Sequence, residues 1–217
     1  MSPNTYTTCQ PKGATILKSY TIINSRDTSA AAAGHVDVWP WDYAYKPTTE
    51  FRITHGDDRL YVSLRSYEEN PVARIHEMNG PVCNDSCIEF FFSPSPDNSN
   101  GYFNFEVNSN PTFLLEYGPC TADDSHPVEW NISDLNVRST AASDACGPFW
   151  QVDFEIPYAM IRKYAPDCKL SSGAVIRGNV YKCGCTDQEP HYGCWNPVLT
   201  PGPNFHKPEF FGEFIIE

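Results

Sequence analysis

Glu89 and Glu106 are the first residues of chemical interest. They fall in two short runs, Cys87-Ile88-Glu89-Phe90-Phe91-Phe92 and Tyr102-Phe103-Asn104-Phe105-Glu106-Val107-Asn108. Two carboxyls about 5–10 Å apart on neighbouring strands are what acid/base cleavage of a glycosidic bond requires. A chain with 27 acidic residues also brings some carboxyls together by chance. A second group lies in Arg177-Gly178-Asn179-Val180-Tyr181-Lys182-Cys183, where period 2 puts Arg177, Asn179, Tyr181 and Cys183 on one strand face. An aromatic beside a guanidinium and an amide suits a polyhydroxylated ring, stacking on its C–H face and bonding its hydroxyls. Trp195 follows in His191-Tyr192-Gly193-Cys194-Trp195-Asn196-Pro197. It is either part of that stacking surface or the plug of a loop packed over one end of the fold.

Metal chemistry is a further option. Cys183, Cys185, His191 and Cys194 put three thiols and an imidazole within twelve residues, enough to wrap a tetrahedral zinc. In an oxidising compartment Cys185 and Cys194 would instead clip the loop as a disulfide. Asp97-Asn98-Ser99-Asn100 and Asp123-Asp124 carry oxygen ligands of the kind calcium takes, without the EF-hand spacing. The chain has no Gly-x-Ser-x-Gly elbow, phosphate-cradling glycine loop or His-Glu-x-x-His pair.

Strands must position these groups. Aromatic residues are 14% of the 217-residue chain, with 19 Pro and 13 Gly, a composition suited to pleated surfaces joined by tight turns. Leu60, Val62 and Leu64 alternate with Tyr61, Ser63 and Arg65, and Phe51-Arg52-Ile53-Thr54 precedes them across the turn formers His55-Gly56-Asp57-Asp58. Phe103, Phe105 and Val107 share one face of their run; Tyr102, Asn104, Glu106 and Asn108 share the other, either facing solvent or lining a binding face. Further strands are expected at 112–117, 149–156, 174–183 and 210–217. One short helix is expected at 157–164, opened by Pro157 and closed before Pro166. The pattern predicts an all-β protein, an antiparallel β-sandwich with one short helix, with a closed barrel as the alternative. Residues 1–35 read as an irregular lead-in with at most one short strand at 16–23, packed on a single domain spanning 36–217.

The formal charge of −12 opposes binding to nucleic acid or to an anionic membrane surface, since both need a basic face. No run approaches the roughly 20 apolar residues that span a bilayer. The opening Met-Ser-Pro-Asn-Thr-Tyr has no basic and apolar leader. A cytoplasmic chain with free thiols is therefore expected, with a secreted or cell-surface chain as the alternative. The nine cysteines form an odd set, so at least one is free, metal-bound or paired between chains.

Several of these strings together resemble family 9 carbohydrate-binding modules, in particular the stand-alone branch called carbohydrate-binding family 9-like. They are Asp85-Ser86-Cys87-Ile88-Glu89-Phe90-Phe91, Tyr102 to Asn108, Trp150-Gln151-Val152-Asp153-Phe154-Glu155-Ile156-Pro157, Arg177 to Lys182 with His191-Tyr192 and Trp195, and Phe205-His206-Lys207-Pro208 with Phe211-Gly212. They run in order from about Val36 to Glu217. The resemblance implies a DOMON-like β-sandwich, non-catalytic binding of an oligo- or polysaccharide end between two aromatics, and structural calcium. It carries sugar contacts onto Glu89 and Asn179, and also onto Asn104, Glu106 and Lys182. The family's first stacking aromatic falls at Cys83 or Val82, and Lys182 stands nearest the second, so Tyr181 and Trp195 would supply stacking, with Arg177 among the hydrogen-bonding groups. A glycoside hydrolase acting on the same glycan would be a natural partner. A sugar-processing enzyme using Glu89 and Glu106, and a metal- or haem-binding DOMON-like module, are the rival readings.

Overall fold

The computed structural model describes residues 17–99, 101–118, 124–185 and 189–217. Among them are thirteen strands and one α-helix. The strands are β1 (Ser19–Asn24), β2 (Gly34–His35), β3 (Thr49–His55), β4 (Arg59–Ser66), β5 (Ser86–Ser93), β6 (Tyr102–Asn108) and β7 (Phe113–Gly118). They continue with β8 (His126–Pro127), β9 (Arg138–Asp144), β10 (Gly147–Pro157), β11 (Val175–Gly184), β12 (His191–Cys194) and β13 (Gly212–Ile216).

The order β8-β7-β6-β5-β11-β13-β1-β3-β4-β10-β9 is unbroken, with β12 beside β11 and β2 beside β3. Two separate antiparallel sheets were expected; the chain instead forms one mixed sheet curled back on itself. The reason is β1, which pairs in parallel with β13 through Ser19–Ile22 and then with β3 through Ile23 and Asn24. Part of the expected lead-in is thus a central strand. The sheet's two wings share one core, in which the Phe105 ring of β6 stacks on Phe154 of β10 at 4.1 Å and 11°.

Alternation explains the wings. In β10, Trp150, Val152, Phe154 and Ile156 point inward while Gln151, Asp153 and Glu155 are half-exposed. In β4, Leu60, Val62 and Leu64 do the same. The β3–β4 hairpin closes where expected, with Gly56 N–H donating to Arg59 O at 2.9 Å. The helix α1 (Tyr158–Tyr164) follows Pro157, whose φ of −63° suits a helix entry, and ends at Ala165 before Pro166. No helix among the described residues is long and apolar enough to cross a membrane. β9, Arg-Ser-Thr-Ala-Ala-Ser-Asp, was not foreseen: it is an edge strand paired to β10, exposed along nearly its whole length, and so carries no apolar rhythm.

β5 and β6 differ from the rest because every residue in both is buried. Their inner faces, Ile88, Phe90, Phe92 and Phe103, Phe105, Val107, enter the shared core. Their outer faces are covered by the chain from Cys194 to Phe211 and by Trp41 and Val82, which form a second cluster with Phe91, Tyr102 and Tyr181. The candidate site lies between that outer face and its covering strap.

Candidate functional site

Antiparallel register sets the floor of the site. Glu89 of β5 lies directly across from Glu106 of β6 and, on its other side, from Tyr181 of β11; Cys87 lies across from Cys183. Direct cross-strand neighbours have Cβ atoms about 4.5–5.5 Å apart, so two carboxyls and two thiols crowd one patch. A cavity of about 260 Å³ opens over them, lined by Glu89, Glu106, Cys83, Cys183, Cys185, Tyr192 and the strap residues Pro203 to His206. The turn carrying Cys83 is held by Asp85, which accepts from Arg74 N, Ile75 N and Asn108 Nδ2 at 2.8–3.0 Å. Phe205 is fixed by stacking on Tyr181 at 4.1 Å and 10°, and His206 Nδ1 bonds Tyr102 Oη at 2.7 Å.

Both carboxyls are raised. Burial first, and then the Glu106 charge beside it, push Glu89 well above the usual carboxylate range. Burial pushes Glu106 up to about 7, against a hydrogen bond from Asn104 that pulls the other way. Near neutral pH such a pair can present both an acidic hydroxyl donor and carboxyl acceptors. Glu106 Oε2 and Asn104 Oδ1 are buried without a protein partner, which costs free energy unless a ligand or water fills the position. The thiols are coupled too: Cys185 touches Cys183, Cys83 and the Tyr192 hydroxyl, contacts that lower its pKa and raise those of Cys83 and Cys183.

Of the residues singled out in the sequence, Glu89, Glu106, Cys183 and Cys185 line this cavity, and Asn104 hydrogen-bonds Glu106 from the same face of β6. The others are engaged elsewhere. Arg177 pairs with Glu213 at 3.0 Å and donates to Phe211 O at 2.7 Å. Asn179 donates to Asn196 O and accepts from Val180 N and Asn196 N, pinning the strap at its base. Tyr181 is fully buried between Phe205 and Phe91 and forms the wall behind the cavity, without a free face. Trp195 lies on the inner side, against Phe51 and Phe214, and so acts as a core plug instead of a stacking platform. Lys182 also faces inward, one residue out of phase with Tyr181; its Nζ bonds Ser86 Oγ at 2.9 Å, Cys183 O at 2.8 Å and His191 Nε2 at 2.8 Å, and lies 3.3 Å from Glu68.

The expected zinc quartet does not assemble. Period 2 in β12 sends His191 to the inner face with Lys182 and Tyr192 to the outer one. The Cys194 thiol turns to Val38 O at 3.6 Å, which also removes the Cys185–Cys194 clip. Cys183 instead meets Cys87 and Glu89, partners about a hundred residues away in sequence. For calcium, no three carboxylates converge among the described residues, and Asp97 accepts from its own Ser99 N–H. Asn100, Asp123, Cys9 and Cys120 lie outside the described residues. Tyr192, Phe205 and His206 were not among the site residues expected from the sequence, although the strings that contain them were part of the family resemblance.

Comparison with known proteins agrees with this architecture. No curated protein matches the chain. A protein from Bacteroides uniformis, assigned to carbohydrate binding, is similar in structure with a TM-score of 0.77 and 26% identity, covering 93% of this chain and 100% of its own. A family 9 carbohydrate-binding module from Caldicellulosiruptor kristjanssonii, solved with glucose and with cellotriose, has the same fold at a TM-score of 0.61 and 12% identity. It covers 92% of this chain and 96% or 94% of its own. The model of carbohydrate-binding family 9 matches residues 22–216, almost the whole described sheet, and the chain belongs to that family.

Proposed function

We propose that this protein binds a saccharide, without cleaving it, in the cavity between the outer face of β5, β6 and β11 and the strap at 203–206. The observation that carries the reading is the buried, unpartnered acceptor Glu106 Oε2 at the floor of a cavity with Tyr192, Phe205 and His206 in its walls. Hydroxyl groups are the natural donors to such an atom, and rings beside it suit the C–H face of a sugar. The volume of about 260 Å³ is below the roughly 300–1,000 Å³ of sites for drug-sized molecules, which favours one sugar unit or a chain end. Membership of the family and the glucose- and cellotriose-bound neighbour of the same fold support the same class of ligand. Glu89 and Glu106 stand side by side on one floor, and cleavage needs carboxyls that flank the bond; this favours recognition over hydrolysis.

Calorimetric titration with glucose, cellotriose and xylo-, manno- and galacto-oligosaccharides, each native and reduced to its alditol, tests the proposal. Binding should weaken about ten- to a hundredfold in Glu106→Gln, which removes a charged acceptor, and up to about tenfold in Tyr192→Leu. No heat from any saccharide, or binding unchanged in both variants, would overturn it. Release of reducing sugar that disappears in Glu106→Gln would favour the enzyme instead.

A further inference from the structure

The floor of the same cavity gathers two thiols around Glu89 that the proposed sugar contacts leave unexplained. The Cys87 and Cys183 thiols and a Glu89 carboxyl oxygen all lie within 4.8 Å of one another, and all three side chains are buried. Cys183 Sγ is 3.0 Å from Glu89 Oε1. Cys185, just past the end of β11, lies beside the thiols of Cys183 and Cys83 but outside this cluster. Buried cysteines are often inert small hydrophobes, but these converge on a buried carboxyl from two different strands. The nearest ammonium, Lys182, is on the opposite face of the sheet and is paired with Glu68. Two thiols and a carboxyl gathered this closely in the interior form a ready set of metal donors.

The donor set specifies which cation. Zinc bonds thiolate sulfur at about 2.3 Å, which places sulfurs of a tetrahedral site about 3.8 Å apart; the observed spacing reaches that with small side-chain rotations. Thiolates select soft or borderline metals, and a carboxylate among them favours a divalent one. We infer that Cys87, Cys183 and Glu89 bind a thiophilic divalent cation of the zinc type, with the fourth position taken by water from the cavity above. Each coordinating thiol releases its proton to solvent as the ion enters. The ion would join β5 to β11 beneath the cavity, and nothing in the inference depends on a bound sugar.

The test uses the full-length reduced protein, stripped by chelator and titrated with Co²⁺ under anaerobic conditions and without saccharide. We expect one Co²⁺ per chain, with the thiolate charge-transfer and strong visible bands of a tetrahedral site, displaced by Zn²⁺. The signal should be lost in Cys87→Ser and Cys183→Ser and retained in Cys146→Ser and Cys168→Ser. Because a thiol variant could fail to fold, displacement by Zn²⁺ in the wild type and a Zn²⁺-dependent rise in its melting temperature are read independently. Absence of thiolate bands in the reduced wild type overturns the inference. So does a signal that persists in both Cys87→Ser and Cys183→Ser, or a chain isolated two hydrogens lighter per bridge that takes up no Co²⁺ after reduction.

Discussion

Lys182 shows how much a single side chain's direction decides. It is fully buried and its ammonium is held by Ser86, Cys183 O, His191 and Glu68, while Glu68 also accepts from Trp150 Nε1 at 2.7 Å. Burial would raise the Glu68 carboxyl, but Lys182 and the Ser86 and Trp150 donors outweigh it and hold it below its ordinary value. Removing one partner of a buried pair leaves an uncompensated charge. Lys182→Met should therefore lower unfolding stability by about 3–5 kcal/mol in urea melts, with part regained in the Lys182→Met/Glu68→Gln double variant. His191 adds a pH dependence. Its Nδ1 bonds Glu189 O at 2.7 Å, so Nε2 accepts from Lys182, and burial and then the Lys182 charge hold its pKa down to about 4. The unfolded chain, titrating near 6.5, takes up this proton first, so stability is lost as pH falls from about 6.5 toward 4. The loss amounts to about 3 kcal/mol at most. The groups facing His191, namely Lys182, Glu68 and the Tyr45 ring, remain in His191→Gln, which should lose less stability than wild type between pH 7 and 4.5. An equal loss would remove His191 as the cause.

At the scale of elements, the strap and the start of β13 depend on close contacts that a strand pattern does not reveal. A Cβ on Gly212 would lie 2.5 Å from the Trp195 ring and 2.9 Å from Lys18 O. Gly212→Ala should cost about 1–3 kcal/mol through overpacking, measurable as a lowered melting temperature. Trp195→Ala should cost about 3–5 kcal/mol and leave saccharide affinity within about twofold, because the ring packs on Phe51 and Phe214 and lines none of the cavity. A large loss of affinity in a folded Trp195→Ala protein would return the tryptophan to the binding site. The strands themselves were legible wherever one face is apolar: 149–156 became β10, 174–183 became β11, and Phe103, Phe105 and Val107 do enter the core. β9 was not legible because an edge strand exposed on both sides has no burial pattern to encode.

The whole molecule is held together through β1. It is the link between the β13 and β3 sides of the sheet among the described residues, and Ile22 is completely buried there. Ile22→Ala should cost about 2–5 kcal/mol. Because both wings line one core, far-UV and near-UV transitions should still coincide in that variant. Two separated transitions would show that the wings fold independently.

Alternation and turn residues in the sequence alone determined the all-β class, which residues share a face in β4, β6 and β11, and the helix bounded by Pro157 and Pro166, while the strings around Glu89, Glu106, Trp150 and Asn179 carried the family resemblance. A period of two assigns a residue to one of two faces, but does not say which face the rest of the chain will cover. Only the tertiary structure decided that Lys182 and Trp195 face the shared core, that the strap brings Tyr192, Phe205 and His206 over Glu106, and that Cys87 meets Cys183. The physical reason is register: which residues oppose one another across strands distant in sequence is set by pairing and packing along the whole sheet, information spread over the chain instead of residing in any one motif.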